Sequence, residues 1–249
     1  MLNNIQFSGS HEVNSQGLLQ EIAHGLSHDF GACLRAVRCF AELIKKHHGN
    51  NISEDEQIWF NLIQENSEKM DSMIKALVHY LRLQHESEPV TEFNFSDLVD
   101  TIVHQQILKH ESGARSNHNI PDITIKDLPK TISARKNQMS ILISSLLDNA
   151  LKYQPQKKSH TPRITIDCNA ITSGYVLTTS DNGIGVHAKQ LPLLTRPFTR
   201  GVDERDYPGL GMGLSYCALV AMQHKAKLKL HSDVNKGFSA SFEFLQPVN

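Results

Sequence analysis

Two long helices are predicted at the start of the chain from the spacing of its apolar residues. Between residues 16 and 47, large apolar side chains recur every three or four positions and form one stripe along a helix. A second stripe follows the polar residues 47–51, and Ser53 with Glu56 is typical of a capping box at its start. Because one such hairpin leaves both stripes in water, we expect two copies to pair as a homodimeric four-helix bundle.

The pattern changes after a polar segment, residues 84–91, in which Pro89 breaks the helical period. We expect a hinge there, and we place the boundary between a helical domain, residues 1–88, and a second domain, residues 89–249. A short strand leads into a helix from residue 93, and a second helical period covers residues 140–151. Strand-like stretches occur at residues 123–125, 163–167, 175–179, 227–231 and 238–244. Helices and strands that do not strictly alternate favour an α+β fold, with an α/β sandwich, over a doubly wound sheet.

The composition argues against two kinds of partner. Lysine and arginine number 25 against 26 for aspartate and glutamate, a formal charge of −1, so nothing indicates a basic surface for nucleic acid or an anionic membrane. No stretch approaches the roughly 20 apolar residues of a membrane-spanning helix, and the start of the chain lacks the pattern of a secretory leader. The four cysteines have no close pair, which is typical of reduced thiols. We expect a cytoplasmic protein that is not inserted in a membrane.

One histidine is notable for its place on the first helix. His28 lies two residues from both Leu26 and Phe30, about 200° round the helix from each, which predicts that it faces away from the apolar stripe. Asp29 follows directly, and a carboxylate beside an imidazole can hold the proton of one ring nitrogen and leave the other as a nucleophile. Since the chain has 14 histidines, a surface role is the simpler interpretation of the pair alone.

Polar groups at the end of the helix at 140–151 are suited to a nucleotide. Asn149 can offer an amide oxygen to Mg²⁺, Lys152 an ammonium group to phosphate, and Tyr153 an aromatic edge to a base. An ordinary amphipathic helix explains the same residues when they are taken alone.

Two glycine-containing blocks follow. In DNGIG at 181–185, Gly183 and Gly185 permit a tight turn after a strand, and Asp181 can accept a hydrogen bond from an exocyclic amine. A surface turn is the alternative. In GLGMG at 209–213, glycine amides at the start of a helix can hold phosphates, although the block is neither a P-loop nor the dinucleotide fingerprint. Its glycines are Gly209, Gly211 and Gly213.

The order of these blocks resembles one family. Residues 15–246 resemble the core of a two-component sensor histidine kinase: residues 27–43 resemble its H box, in the version found in phytochrome-like kinases, and the later blocks resemble the N, G1, F and G2 boxes of its Bergerat-type ATP-binding domain. The resemblance implies a kinase that binds ATP and Mg²⁺, autophosphorylates on His28 and transfers the phosphoryl group to an aspartate of a response-regulator receiver domain.

The resemblance also implies a role for each matched residue. Asp29 would orient or deprotonate His28, and Asn149 would ligate Mg²⁺. Lys152 would meet the phosphates and Tyr153 would line the nucleotide pocket. Asp181 would bind the adenine amino group. The remaining matched residues would approach the base, form a mobile lid over residues 186–207, or close over the phosphates, with Arg200 facing the γ-phosphate: Gly183, Gly185, Phe198, Arg200, Gly209, Gly211 and Gly213.

Three positions depart from the family pattern. Ser145 stands where a second asparagine is usual, which predicts weaker metal binding. Ala32 stands where phosphatase-active relatives carry threonine or asparagine, which predicts poor dephosphorylation of the regulator. Cys33 replaces a helix-bending proline, which predicts a reduced kink.

Two other functions fit parts of this pattern. One is a non-catalytic histidine phosphotransfer or scaffold protein with a degenerate ATP-binding domain. The other is an ATP-hydrolysing member of the wider Bergerat superfamily, although such proteins carry a glutamate at the position of Ser145. Because no sensory segment is recognisable, we also expect the signal to come from a separate sensory protein.

Overall fold

A computed structural model describes residues 12–49, 52–112, 120–157, 159–203 and 205–245. The side chains of residues 12–29 and 112 lie outside this description. The chain forms two compact units, Met1–Glu86 and Ser87–Asn249. None of the helices in the described ranges is long and apolar enough to cross a membrane.

The first unit is a pair of helices, α1 (Glu12–His48) and α2 (Glu54–His85), that pack against each other. The predicted capping box at the start of α2 is confirmed: the Glu56 amide donates to Ser53 Oγ at 3.3 Å, and the Ser53 amide donates to Glu56 Oε2 at 2.8 Å. These bonds satisfy backbone donors that have no partner inside the helix. Helix α1 is uninterrupted at Cys33, where the family carries proline.

The hairpin leaves much of its apolar surface exposed. Among its described residues, only a few side chains are buried, including Leu34, Val78 and Leu83. The exposed large apolar residues are Phe30, Val37, Phe40, Leu43, Ile44, Ile58, Trp59, Leu62, Ile63, Met70 and Leu77. A single hairpin therefore does not cover its own apolar stripes.

The second unit is built on two sheets. Strands β1 (Thr91–Asn94) and β3 (Thr131–Ala134) form an antiparallel pair. The larger sheet has the order β2-β4-β5-β7-β6, with β2 (Asp122–Lys126), β4 (Arg163–Ile171), β5 (Gly174–Asp181), β6 (Lys227–Asp233) and β7 (Gly237–Leu245). Among the strand pairs of the described residues, β2 and β4 alone are parallel, which fits a mixed sheet and not a doubly wound one.

Helices cover one face of this sheet. They are α3 (Phe95–Ser112), α4 (Lys136–Lys152) and α5 (Gly213–Gln223), and α4 packs against both other helices and against β5. Alternate residues of the strands point to this side and are buried, such as Ile166 and Phe242. The intervening positions are polar, and Thr178 and Ser241 share a hydrogen bond of 3.1 Å across neighbouring strands. The predicted α/β sandwich is confirmed for this unit.

The strands and helices that the sequence predicts in this unit are present, with three differences, one of which is an unpredicted 3₁₀ helix at Ala188–Leu193. Strand β3 was missed, because TISA at 131–134 is too short to show alternation. Helix α4 begins at Lys136, four residues before the start that its apolar period indicates.

Candidate functional site

A pocket lies in the second unit between α4, the end of β5 and the segment that leads into α5. The predicted site residues that line it are Asn149, Tyr153, Asp181, Gly185, Arg200, Gly211 and Gly213. They come from four separate stretches of sequence, and the fold brings them to one place.

Asp181, the last residue of β5, is held in position by backbone amides. The amides of Gly183 and Phe238 donate to its Oδ1 at 2.7 and 3.3 Å. Burial raises the pKa of Asp181 from 3.8 to about 6, and the two backbone bonds oppose this rise. At neutral pH the group is largely an ionised carboxylate, so it is a fixed acceptor inside the pocket.

The turn after β5 depends on two glycines. A Cβ on Gly183 would meet the carbonyl of Tyr153, and one on Gly185 would meet the carbonyl of Asp233. Gly185 also has φ +60°, which side chains rarely adopt. The Ile184 amide donates to the Tyr153 carbonyl at 2.9 Å and so ties the turn to the end of α4.

Asn149 on α4 lies beside the first residue of α5. A Cβ on Gly213 would lie 3.2 Å from Asn149 Nδ2. The absence of a side chain at Gly213 therefore leaves room around the amide of Asn149. That amide and the start of α5 border the same part of the pocket.

The end of α4 presents a cation and an aromatic pair. Lys152 Nζ lies 4.7 Å from the centroid of the Tyr153 ring, and the Tyr153 and Tyr207 rings lie 5.6 Å apart. Burial raises the pKa of Tyr153, so its hydroxyl stays neutral. The Tyr207 hydroxyl donates to the buried carbonyl of Gln154 at 2.9 Å, which fastens the segment before Gly209 to the end of α4.

Arg200 connects parts of its own segment through hydrogen bonds to backbone carbonyls. Its guanidinium donates to the carbonyls of Gly209 and Tyr207, and to that of Asp203 at 3.3 Å. Its Nε is buried and, within the part of the chain that the structure describes, has no hydrogen-bond partner. Arg200 therefore closes a loop of residues 200–209 and also lines the pocket.

Four predicted residues stand apart from the pocket lining. Lys152 and Gly209 adjoin each other next to it, since a Cβ on Gly209 would meet Lys152 Nζ. Gly183 lies in the turn behind Asp181. Phe198 has φ +59°, and its carbonyl carbon adjoins the place where a Gly211 Cβ would lie. Ser145 is half-buried on α4 and is not among the lining residues.

His28 and Asp29 lie in α1, in the first unit, and their side chains lie outside the described residues. Ala32 and Cys33, one turn further along, are exposed. Within the described ranges, no group of three or more histidine, cysteine, aspartate or glutamate residues could hold a metal ion.

Sequence reasoning missed the apolar wall of the pocket. It is formed mainly by Leu146, Ile184, Val186, Leu194, Leu214 and Phe238. An apolar surface opposite a fixed carboxylate suits a flat heterocycle with an exocyclic amine. These residues carry no signal in the sequence, because core residues have the same types and spacing.

The family comparison agrees with this geometry. Residues 134–248 match the model of the family described as histidine kinase-, DNA gyrase B-, and HSP90-like ATPase. Cyanobacterial phytochrome A of Nostoc sp. strain PCC 7120 is 24% identical over 234 residues, which is 94% of this chain and 29% of the relative. Phosphate regulon sensor protein PhoR of Haemophilus influenzae is 23% identical over 93% of this chain and 52% of its own length.

Solved structures show the same fold. Full-length ShkA, crystallised in complex with AMPPNP, matches 92% of this chain and 47% of its own with a TM-score of 0.63 and 18% identity. The histidine kinase AdeS of Acinetobacter baumannii matches 85% of this chain with a TM-score of 0.55. The chain spans about a third of the length of the phytochrome relatives and about half that of PhoR. These matches confirm that the chain resembles the core of a two-component sensor histidine kinase and that its second unit has the fold of an ATP-binding domain.

Proposed function

We propose that the chain is an ATP-dependent protein histidine kinase that acts in the cytoplasm, phosphorylates itself on His28 and passes the phosphoryl group to an aspartate of a response-regulator receiver domain. The observation that carries the proposal is the pocket in which the half-buried Asp181, Asn149 of α4 and the glycine segment before α5 converge. This arrangement supports the proposal, because it brings a fixed carboxylate, an amide side chain and a glycine-containing backbone segment to one cavity. The matches to Cyanobacterial phytochrome A and to the sensor protein PhoR cover 94% and 93% of this chain, and so support extending the proposal to the first unit.

ATP fits the chemistry of the described residues. Asp181 would accept a hydrogen bond from the adenine amino group, and Gly183 and Gly185 would let the backbone approach the base. Lys152 and Arg200 would neutralise phosphate charge. Tyr153 would pack on the nucleotide, and Phe198 would help to shape the lid over residues 186–207. Gly209, Gly211 and Gly213 would let backbone amides approach the phosphates.

Mg²⁺ fits a site with a single protein ligand. Asn149 would supply one amide oxygen, and Gly213 leaves room beside it. Mg²⁺ commonly keeps several waters and takes its remaining ligands from phosphate oxygens, so a cluster of carboxylates is not required. When bound, the ion would neutralise phosphate charge.

The transfer step needs alignment and charge stabilisation more than covalent help from the protein. A ring nitrogen of His28 would attack the γ-phosphorus. A phosphorus–nitrogen bond would form, the bond from that phosphorus to the bridging oxygen would break, and ADP would leave. Asp29 would hold the proton on the other ring nitrogen. Arg200 would leave its lid carbonyls to face the charge that develops on the transferred group.

A homodimer is part of the proposal. Phe40 and Trp59 are 65% and 60% exposed, and they belong to a larger apolar surface on the hairpin. Pairing two hairpins as a four-helix bundle would cover this surface. A separate sensory protein that binds the hairpin stays a prediction from the sequence.

One labelling experiment tests the function. The full chain is incubated with Mg²⁺ and γ-labelled ATP, and we expect label that is stable in base and lost in acid, as for phosphohistidine. His28→Ala and Asn149→Ala should remove it, while His104→Ala, an exposed histidine of α3, should leave it unchanged. A subsequent chase with a receiver domain should move the label to that domain.

The alternatives give different results. No label on the wild-type chain would favour the non-catalytic scaffold. Rapid release of labelled inorganic phosphate without labelled protein would favour an ATPase, which the serine at position 145 argues against. Label that persists in His28→Ala would place the acceptor elsewhere.

A further inference from the structure

A glutamate from the linker caps the helix that carries Asn149. The Asn137 amide donates to Glu88 Oε1 at 2.7 Å, and the Gln138 amide donates to Glu88 Oε2 at 3.1 Å. Helix α4 has no side-chain cap of its own at Arg135. Glu88 thus satisfies two otherwise unpartnered amides and sets a negative charge at the positive end of the helix.

Arg135 fastens the same piece of linker from the other side. Its Nε donates to the Glu88 carbonyl at 2.9 Å, and its Nη1 donates to the Gln223 carbonyl at the end of α5. Three residues after Glu88, strand β1 begins to pair with β3, with Thr91 opposite Ala134. From Glu88 onward the chain is therefore attached to the ATP-binding unit.

The linker is also constrained at its N-terminal end, where it leaves α2. The Glu86 amide donates to the Arg82 carbonyl at 2.8 Å, which continues the hydrogen bonding of α2 as far as Glu86. Ser87 is the one residue between this helix cap and Glu88. The sequence predicts a hinge around Pro89. These contacts restrict the position of that hinge to the peptide units next to Ser87.

The two helices joined at Arg135 also meet at the pocket. Helix α4 runs from the Glu88 contact to Asn149, and α5 runs from Gly213, which adjoins Asn149, to Gln223. They are antiparallel, with one pair of ends at the linker and the other at the pocket. A movement of the linker at Glu88 and Arg135 would therefore be transmitted to both helices that border the phosphate end of the pocket.

We infer that Glu88 is a positioning residue for autophosphorylation, which fastens the linker to α4 and confines movement between the units to the backbone next to Ser87. The inference rests on the proposed function, because a phosphoryl group bound in the second unit has to reach His28 in the first. A short, fastened linker restricts the orientations that the two groups sample. Loss of Glu88 would free the linker as far as Thr91 and lower the fraction of time spent in a productive alignment.

The test compares Glu88→Ala with Glu92→Ala in the full chain. Glu92 is an exposed glutamate of β1 and serves as the matched control. In Glu88→Ala we expect the rate of His28 labelling at saturating ATP to fall about tenfold, with ATP affinity changed less than about twofold. Glu88→Gln keeps one acceptor oxygen and should show a smaller loss. Insertion of two glycines after Ser87 should reproduce the loss, and combining it with Glu88→Ala should add little.

Hydrogen exchange tests the contact between Glu88 and the start of α4 independently of catalysis. The amides of Asn137 and Gln138 should exchange faster in Glu88→Ala, while those in the second half of α4 should not change. A wild-type labelling rate in a variant with fast exchange at these amides would overturn the inference. So would a parallel loss of ATP affinity, which would indicate damage to the pocket. If the wild-type chain itself takes no label, the proposed kinase function fails. Unchanged exchange at Asn137 and Gln138 in Glu88→Ala would separately refute the proposed contact between Glu88 and α4.

Discussion

The two units of this chain differ in how far they bury their apolar residues. The second unit buries large side chains such as Phe242 and Leu147 between its sheet and its helices, and both are 0% exposed. The hairpin of the first unit leaves Phe40 and Trp59 in contact with solvent. The second unit therefore has a core of its own, whereas the described part of the hairpin buries few of its large apolar side chains.

This difference matches a division of labour. A nucleotide pocket needs fixed geometry, and the sandwich supplies it through buried strands and a capped helix. If a partner stabilises the hairpin, as in the proposed homodimer, the hairpin can respond to that partner, because binding shifts the equilibrium between its conformations. If the contrast is real, equivalent substitutions in the two units should have different effects on stability.

The strongest test compares two Phe→Ala variants. Phe242→Ala should lower the free energy of unfolding of the second unit by about 3–5 kcal/mol, because it opens a cavity in a closed core. Phe40→Ala removes the same atoms from an exposed position in the other unit and should change that free energy by less than about 0.5 kcal/mol. Hydrogen exchange of the central strands β5 and β7 in urea measures both. Equal losses would show that the two units do not unfold separately.

A charge on the exposed face tests the homodimer. Phe40→Glu should weaken self-association about 100-fold, roughly 2.7 kcal/mol, because a carboxylate cannot be buried in an apolar interface without a partner. Lys46→Glu, at an exposed position further along α1, is the control and should associate like the wild type. Sedimentation equilibrium measures the difference. A monomeric wild type at micromolar concentration, or a dimeric Phe40→Glu, would contradict the bundle.

The half-buried carboxylate of Asp181 is expected to lower the stability of the folded protein while it favours ATP binding. The pKa of Asp181 is about 6 in the folded protein against an ordinary 3.8, so folding favours its protonated form. Stability should fall as pH rises from about 4 to about 6 and stay lower above that range. Asp181→Asn removes this charge from the pocket. At pH 8 its free energy of unfolding should therefore be about 1–3 kcal/mol higher than that of the wild type. Denaturant titrations at pH 8 and at low pH measure the effect.

The same variant should lose ATP affinity by at least about tenfold, because it lacks the ionised group that we propose as the acceptor for the base. Asp122→Asn, an exposed aspartate of β2, is the control for both measurements. A variant that binds ATP normally would remove Asp181 from the base-binding role. In the wild type, ATP affinity should fall as pH drops below about 6, since the protonated carboxyl is a poorer acceptor.

The smallest effect concerns the exposed Ala32 of the hairpin. The wild-type chain should shorten the lifetime of a phosphorylated receiver domain by less than about twofold, because Ala32 has no group to orient a water. Ala32→Thr adds a hydroxyl and should speed dephosphorylation a few-fold, while labelling of His28 stays the same. Decay of label on the receiver domain measures this. Rapid decay with the wild type would refute the prediction.

The contrast between the units also separates what the sequence could predict from what it could not. Strands β4 to β7 and the Ser53 capping box rest on neighbours in sequence, and these predictions are confirmed. The convergence of Asn149 and Asp181 on one pocket followed only from the resemblance to a family. Periodicity identifies the elements that carry these residues, but it does not show which elements pack together.

Contacts between distant residues were missed for the same reason. Glu88 and Gln138 are 50 positions apart, and no local pattern links a linker glutamate to a helix whose first turn begins at Lys136. The apolar wall at Leu146 and Leu214 uses residues that any core uses. Strand β3 is four residues long and is defined by its partner β1.

The cap on α4 has a mechanical consequence. Asn149 lies 13 residue steps beyond Lys136, about 20 Å along the helix, so a tilt of about 5° at the capped end would move the Asn149 end by about 2 Å. A displacement of that size is comparable to the difference between a formed and a broken metal–ligand bond. A small change in the angle of α4 at the Glu88 contact would therefore appear at Asn149 as a displacement large enough to alter the pocket.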